Sequence, residues 1–240
     1  MAIAILSALP EEQAGLQPLL QSPVRVQRAG REFWQGSLHG HAVVLALSRI
    51  GKVAAATTTT LLIEHFGART IVFTGVAGGL ASQVRVGDVV VGTQYLQHDL
   101  DASPLFARYE VPLYGLQRFN ALPVLHAQLM TAANTLAQSL VPSQQIQVHQ
   151  GLVLSGDRFV NSTAEVAALR SALPDGLCVE MEGAAVAQVC WDYQVPFVAL
   201  RTISDRADDT AHIDFPVFVR DVAGPYAVKC ICAWLEQLPI

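Results

Sequence analysis

The chain has 240 residues, of which 52% are apolar and 15% charged, and a formal net charge of −5. That length argues for one large domain rather than two small ones. The high apolar and low charged fractions exclude a disordered chain and point to a large buried interior or a buried subunit interface. The cations are scattered and almost all Arg, with only Lys52 and Lys229 as lysines. No basic stripe exists, and a nucleic-acid partner is not expected. Cys178, Cys190, Cys230 and Cys232 sit among apolar neighbours without zinc spacing, as reduced core residues of a reducing compartment would. The N-terminal MAIAILSAL lacks a basic region and a cleavage site, which reads as a strand and not a signal peptide. No run of about 18 uncharged apolar residues occurs, so no membrane span is expected. The expected location is the cytoplasm.

In chain order, Ala2 to Leu9 is an apolar run ended by Pro10, and Glu11 to Leu20 reads as a helix. Glu32 to Leu38 and Ala42 to Leu47 form a hairpin turning at His39-Gly40. KVAAATTTTLLIEHFGA is a helix stopped at Gly67. Thr70 to Phe73 is a short strand entering a glycine turn, TGVAGGL, and Val86 to Tyr95 is another strand. Residues 98–118 hold two prolines, several aromatics and no period, hence a long loop of the kind that is usually functional. Then follow a helix at Leu122 to Leu140, a strand at Gln145 to Leu154, a helix at Ser162 to Ala172 and a strand at Leu177 to Val179. Met181 to Asp192 is a helix and Phe197 to Ile203 a fully apolar strand. The last helix begins near Asp214 and is kinked or split at Gly224-Pro225. Strands alternating with helices, apolar on both faces, predict an α/β fold with a mixed or mostly parallel sheet covered on two sides.

In such sheets ligands sit beyond the carboxyl ends of the strands. That rule selects Glu12 after the first strand, the glycine turn Gly75, Val76, Ala77 and Gly78, then Glu180 and Glu182, and finally Ser204, Asp205 and Asp208. A single acid there can be a helix-dipole or capping residue. Three strand ends delivering carboxylates to one rim say more. The glycine turn is neither GxGxxG nor a Walker loop, and a tight strand-to-helix connection explains it equally well. His98, Asp99 and Asp101 lack a recurring metal-ligand spacing, and no metal is expected. Phe159, Phe215 and Trp191 also fit as core residues.

The segments AILSALPEE, SRIGKVAAATTTTLLIEHFGA, VFTGVAGGL, VRVGDVVV, GLVLSGDRFV, VEMEGAAVAQVC and VPFVALRTISDRAD together resemble the 5′-methylthioadenosine/S-adenosylhomocysteine nucleosidases of the purine nucleoside phosphorylase-like superfamily. The resemblance runs over nearly the whole chain. It implies a three-layer α/β/α sandwich around a mixed, partly closed sheet, and a homodimer whose loop 98–118 lies near the partner's pocket. It implies hydrolysis of the N-glycosidic bond of a small nucleoside with no cofactor. Glu12 is then the water-activating base, Glu182 the ligand of the ribose hydroxyls and Asp205 the acid serving the purine N7, oriented by Ser204. Met181 lies against the ribose, Phe159 stacks on the base and the Val160 backbone reads its edge. Arg201, Ile50, Leu9 and Phe215 match positions in or near the pocket. The chain departs from the family where Val76 replaces a usual Ser and where Leu9-Pro10 replaces a common Met-Glu. Beyond Asp101 the loop differs too, so the choice of 5′ substituent is left open. A phosphorylase, a hydrolase of a futalosine-type nucleoside, a non-catalytic nucleoside-binding protein and a dinucleotide-dependent oxidoreductase are the rival readings. The surviving acids disfavour the binding protein, and the glycine pattern disfavours the oxidoreductase.

Overall fold

The computed structural model describes residues 2–206 and 215–239. Asp208 and the expected helix start at Asp214 lie outside the described residues. The strands are β1 (Ala2–Ser7), β2 (Gln21–Arg28), β3 (Arg31–Leu38), β4 (His41–Leu47), β5 (Ala68–Gly79), β6 (Val89–Gln97), β7 (Phe119–Asn120), β8 (Val148–Ser155), β9 (Gly176–Glu180) and β10 (Phe197–Asp205). The helices are α1 (Pro10–Gln13), α2 (Lys52–Glu64), α3 (Pro123–Ser139), α4 (Thr163–Ala172), α5 (Gly183–Tyr193), α6 (Phe215–Phe218) and α7 (Gly224–Glu236).

The strands form one mixed sheet in the order β10-β6-β8-β9-β5-β1-β4-β3-β2, and β10 pairs again with β5. That second pairing closes β5, β10, β6, β8 and β9 into a barrel, while β1, β4, β3 and β2 extend from β5 as an open wing. Helices cover both sides, α2 packing on α5 and α3 on α7. The expected three-layer, partly closed architecture is the one observed. Strands β1, β5 and β10 run parallel at its centre, and their carboxyl ends share one rim. The sides of β8 face different clusters: Val153 enters the main core, whereas Leu152 and Leu154 pack beneath α4 with Val166 and Leu173.

Several local expectations are corrected. The glycine turn is no turn, because β5 runs on as a strand through Gly79. Its glycines serve close approach: a Cβ on Gly75 would stand 2.9 Å from Glu12 Oε1. The helix expected over Glu11 to Leu20 is a single turn, α1, followed by a separate 3-10 turn at Gln17–Leu19. Strand β2 has no apolar alternation to reveal it, since its side chains are exposed apart from half-buried Val26. The Gly224-Pro225 kink takes the form of a π-helical turn at Val219–Ala223 joining α6 to α7. Pro225 supplies no N–H, so the ladder re-registers there. Gly224 is required by proximity, since a Cβ would lie 2.8 Å from the Glu11 carbonyl oxygen. Trp191 is not core; it is 51% exposed.

Candidate active site

A cleft of about 750 Å³ opens at the shared rim. Of the residues singled out from sequence, Leu9, Glu12, Ile50, Val76, Ala77, Gly78, Phe159, Val160, Glu180, Met181, Glu182, Ser204, Asp205 and Phe215 line it, Glu180 at its floor with its carboxylate turned toward Arg201. Gly75 lies just behind, against Glu12. Arg201 does not line the cleft: it is 1% exposed, buried beneath it. Its position in a fully apolar strand explains this, because the side chain points into the barrel and lays its guanidinium over the Phe73 ring at 4.0 Å.

Glu12 sits on the first turn after β1. Its Oε2 accepts the Ala8 and Leu9 amides at 2.8 and 2.9 Å, and its Oε1 accepts the Val76 amide at 3.1 Å. The side chain thus satisfies amides that a helix start leaves unpaired. It also ties β5 to β1 across the cleft floor. Burial pushes its carboxyl above the ordinary glutamate value, against the opposing pull of these amides and of the Arg201 charge.

The segment after β9 carries two glutamates with opposite fates. Glu180 points down. Its Oε2 accepts Arg201 Nη2 at 2.7 Å and the Gly183 amide at 2.8 Å, and Ser155 Oγ donates to its Oε1. Ser155 Oγ accepts the Ala184 amide at 2.7 Å, so Glu180 and Ser155 together cap α5. Glu182 points up into the cleft. Its Oε1 accepts the Gly51 amide at 2.7 Å, at the N-terminus of α2 where the helix dipole favours an anion. Burial first, then the neighbouring Glu180 charge, raise the Glu182 carboxyl. Sequence reasoning placed Glu180 at the rim but gave it no partner. The signal was present as one Arg inside an otherwise apolar strand, since a buried cation requires an anion.

Asp205 and Ser204 both line the cleft although they are consecutive in a strand. A regular strand would send them to opposite faces. The β10–β5 register slips between Ile203 and Asp205, and such a bulge re-aims side chains. Ser204 Oγ donates to Asp205 Oδ2 at 2.6 Å. The apolar wall comes from Phe159 and Phe215, edge to face at 6.5 Å, with Met181 and Val160 beside them.

The two acids of loop 98–118 that suggested a metal, Asp99 and Asp101, are engaged otherwise, while the buried His98 Nε2 has no hydrogen-bond partner among the described residues. Asp99 takes Lys52 Nζ at 2.7 Å and the Asp157 amide at 2.8 Å, and Asp101 takes the Ser103 amide at 3.0 Å. Among the described residues no group of three His, Cys, Asp or Glu side chains stands close enough to hold a metal ion. The loop's aromatics are not all exposed, since Tyr109 is buried. Its exposed apolar side chains are Leu105 and Leu113, at 85% and 92%.

The Phosphorylase superfamily profile matches residues 2–236. A 5′-methylthioadenosine/S-adenosylhomocysteine nucleosidase of Anoxybacillus flavithermus is 38% identical, over 93% of each chain. The crystal structure of such a nucleosidase from Neisseria meningitidis, in complex with methylthio-immucillin-A, superposes with a TM-score of 0.91 at 36% identity over 99% of each chain. A futalosine hydrolase of Helicobacter pylori superposes with a TM-score of 0.89 at 33% identity, over 99% of this chain and 98% of that one. The chain belongs to the phosphorylase superfamily and, within it, to the family of 5′-methylthioadenosine/S-adenosylhomocysteine nucleosidases.

Proposed function

We propose that the protein hydrolyses the N-glycosidic bond of 5′-methylthioadenosine and S-adenosylhomocysteine, releasing adenine. The observation that carries this reading is the convergence of Glu12, Glu182 and Asp205, from three strand ends, on one cleft with an aromatic wall. Cleavage builds positive charge on the ribose and negative charge on the departing base. Asp205, oriented by Ser204, donates a proton to the purine N7 as the bond breaks. Glu182 binds the ribose hydroxyls and stabilises the cationic sugar. Glu12, made more basic by burial, takes a proton from the water that attacks the anomeric carbon. Phe159 stacks on the base, the Val160 backbone meets its edge and Met181 packs on the ribose. Leu9, Ile50 and Phe215 face the 5′ group. The scheme uses side chains and backbone only.

Water rather than phosphate is the nucleophile in this reading. Arg201, a cation that could have held a phosphate, is committed to Glu180 beneath the floor, and Val76 presents no hydroxyl. The active form is a cytoplasmic homodimer. Support comes from exposed apolar side chains on neighbouring α2 and α5, Val53 at 78% and Trp191 at 51%, and from Leu105 and Leu113 of the long loop. The deciding experiment follows adenine and sugar products with phosphate removed and then restored. Phosphate-independent formation of free 5-methylthioribose supports hydrolysis, and a strictly phosphate-dependent ribose 1-phosphate product overturns it. A second reading, hydrolysis of a futalosine-type nucleoside, draws on the Helicobacter pylori neighbour. A panel of 5′-substituted nucleosides separates the two by kcat/KM.

A further inference from the structure

The block VRVGDVVV supplies no residue to the cleft, yet it carries a buried carboxylate: Asp88 is 3% exposed. Asp88 closes the turn that leads into β6. Its Oδ2 accepts the Arg85 amide at 3.0 Å, and its own amide donates to the Arg85 carbonyl at 3.0 Å. Its Oδ1 accepts the Gln147 amide at 2.8 Å, and His149 Nε2 stands 2.8 Å from Oδ2, which ties the turn to the start of β8.

The backbone of that turn grips β10. The regular antiparallel ladder of β6 and β10 stops at Val89 and Thr202. Beyond it the Gly87 amide donates to the Ile203 carbonyl at 2.8 Å, and the Ile203 amide donates to the Asp88 carbonyl at 2.8 Å. Two residues thus oppose one, in a β-bulge whose first member, Gly87, has a φ of 91°. Ile203 is also the residue after which β10 slips against β5, and that slip brings Ser204 and Asp205 to the cleft together. Past the slip, Arg206 Nη1 donates to the Val84 carbonyl at 3.2 Å. Residues 84–88 therefore hold the strand end before and after Asp205, and the Asp88 carboxylate holds residues 84–88 in shape.

We infer that Asp88 is a positioning residue for the general acid: it fixes the bulge that aims Asp205 at the leaving base, without touching substrate. The inference rests on the nucleosidase reading. Misplacing a reacting group by about 1 Å can cost on the order of a hundredfold in rate. A general acid, however, matters only where the leaving group needs a proton. The loss on disturbing Asp88 therefore depends on the leaving group, a dependence that general loosening of the fold does not produce.

Two variants test this. Asp88→Asn matches the side chain in size but has one acceptor end, so Arg85 or Gln147 loses its acceptor. Gly87→Ala leaves the carboxylate in place and strains the bulge at its positive φ, with nothing nearer than 3.8 Å to the new methyl group. Each is assayed on 5′-methylthioadenosine and on 4-nitrophenyl 5-methylthioribofuranoside, whose nitrophenolate departs without a proton. The kcat for adenine release should fall about ten- to a hundredfold, and that for nitrophenolate release by less than about twofold. The ratio of the two rates cancels any loss of folded protein. On 5′-methylthioadenosine itself, Asp88→Asn should cost nothing further in an Asp205→Asn background. An unchanged ratio in both variants, or losses that multiply in the double variant, overturns the inference and leaves Asp88 as a brace of the fold. Absence of adenine with the wild-type protein overturns the nucleosidase reading instead.

Discussion

Two layers of buried charge meet at the cleft and are built on opposite rules. Beneath the cleft floor, Glu180 meets Arg201, Ser155 and the first amides of α5, so its negative charge is neutralised and its oxygens are occupied. Above the floor, Glu12 and Glu182 are buried at least as deeply as Glu180, but among the described residues they accept backbone amides and no cation forms an ion pair with either carboxylate. Burying a charge without a counter-ion is costly. The lower layer avoids that cost and holds the fold. The upper layer bears it, and the carboxyls respond by becoming more basic. A single residue, Met181, separates Glu180 from Glu182, yet one is an anchor and the other faces substrate space. Burial of an acid is therefore no guide to its role unless its partners are named.

The largest effect that would sharpen this contrast is on turnover. Glu12→Gln should abolish hydrolysis while substrate still binds, and Asp205→Asn should cut kcat by about two orders of magnitude or more. Calorimetric binding and steady-state rates check both. Near-normal turnover of Asp205→Asn would reduce that residue to a bulge-filling acid. Next comes stability. Glu180→Gln leaves Arg201 buried without its anion, and breaking such a pair costs about 3–5 kcal/mol. At roughly 2–4 °C per kcal/mol for a chain of this size, Tm should fall on the order of 10 °C. Glu182→Gln keeps an acceptor for the Gly51 amide and removes a like charge from beside Glu180, so its Tm should equal or exceed wild type at neutral pH. Thermal melts with the reverse ranking would dissolve the distinction between the layers.

The same contrast has a pH signature. A carboxyl whose pKa is raised on folding contributes stability that is fully present below the unfolded value, 4.5 for glutamate, and is lost as pH rises through the folded value. Wild type should therefore lose ground to Glu182→Gln as pH climbs from that value, and the Tm difference between them should widen in the variant's favour. Activity moves the other way. Glu12 must be unprotonated to accept a proton from water, so falling pH should extinguish kcat/KM at a pH above the ordinary glutamate range. An acid limb at or below 4.5 would show that burial does not perturb the base.

Much of this frame was legible in the residues, and the failures have physical causes. The hairpin at His39-Gly40 was readable because His39-Gly40 separates two β-rich runs, and both residues adopt the positive φ a tight turn needs, 48° and 83°. The next hairpin, at Ala29-Gly30, has the same turn geometry, with φ of 48° and 69°. It escaped because β2 lies at the sheet edge, reads QSPVRVQR and buries only Val26, and that by half. The glycines of β5 were misread because glycine marks a turn and a close approach alike, and only the partner, here the Glu12 carboxylate, tells them apart. The rule about strand ends found the cleft acids, since it depends on topology alone. The family resemblance put Arg201 in or near the pocket, and the structure buries it beneath the cleft. Which way a strand residue faces depends on register and closure, and those follow from the non-local pairing of β10 with β5.

The smallest predicted effect tests how the upper layer sustains its basicity. Val76 pairs with Thr202 in the sheet, donates its amide to Glu12 Oε1 at 3.1 Å and lines the cleft with its side chain. The valine methyls thus help keep water from one side of the carboxylate. A serine at this position would keep the amide bond and add a hydroxyl able to donate to the carboxylate or to the attacking water. Donation to the charged form favours it, so Val76→Ser should move the acid limb of kcat/KM to lower pH. The rate on the plateau should change by less than about tenfold, because a single neutral hydrogen bond is worth about 1 kcal/mol. Replacing a β-branched residue in a central strand should lower Tm by a few degrees, about 1 kcal/mol of strand preference. The control is Val76→Thr, which restores β-branching and keeps the hydroxyl. If the limb moves with Ser and Thr alike while Tm recovers only with Thr, the hydroxyl sets the basicity of Glu12 and the methyls set the stability. A limb that stays in place in both variants would mean that the depth of Glu12 in the floor, and not the side chain at position 76, keeps its carboxyl basic.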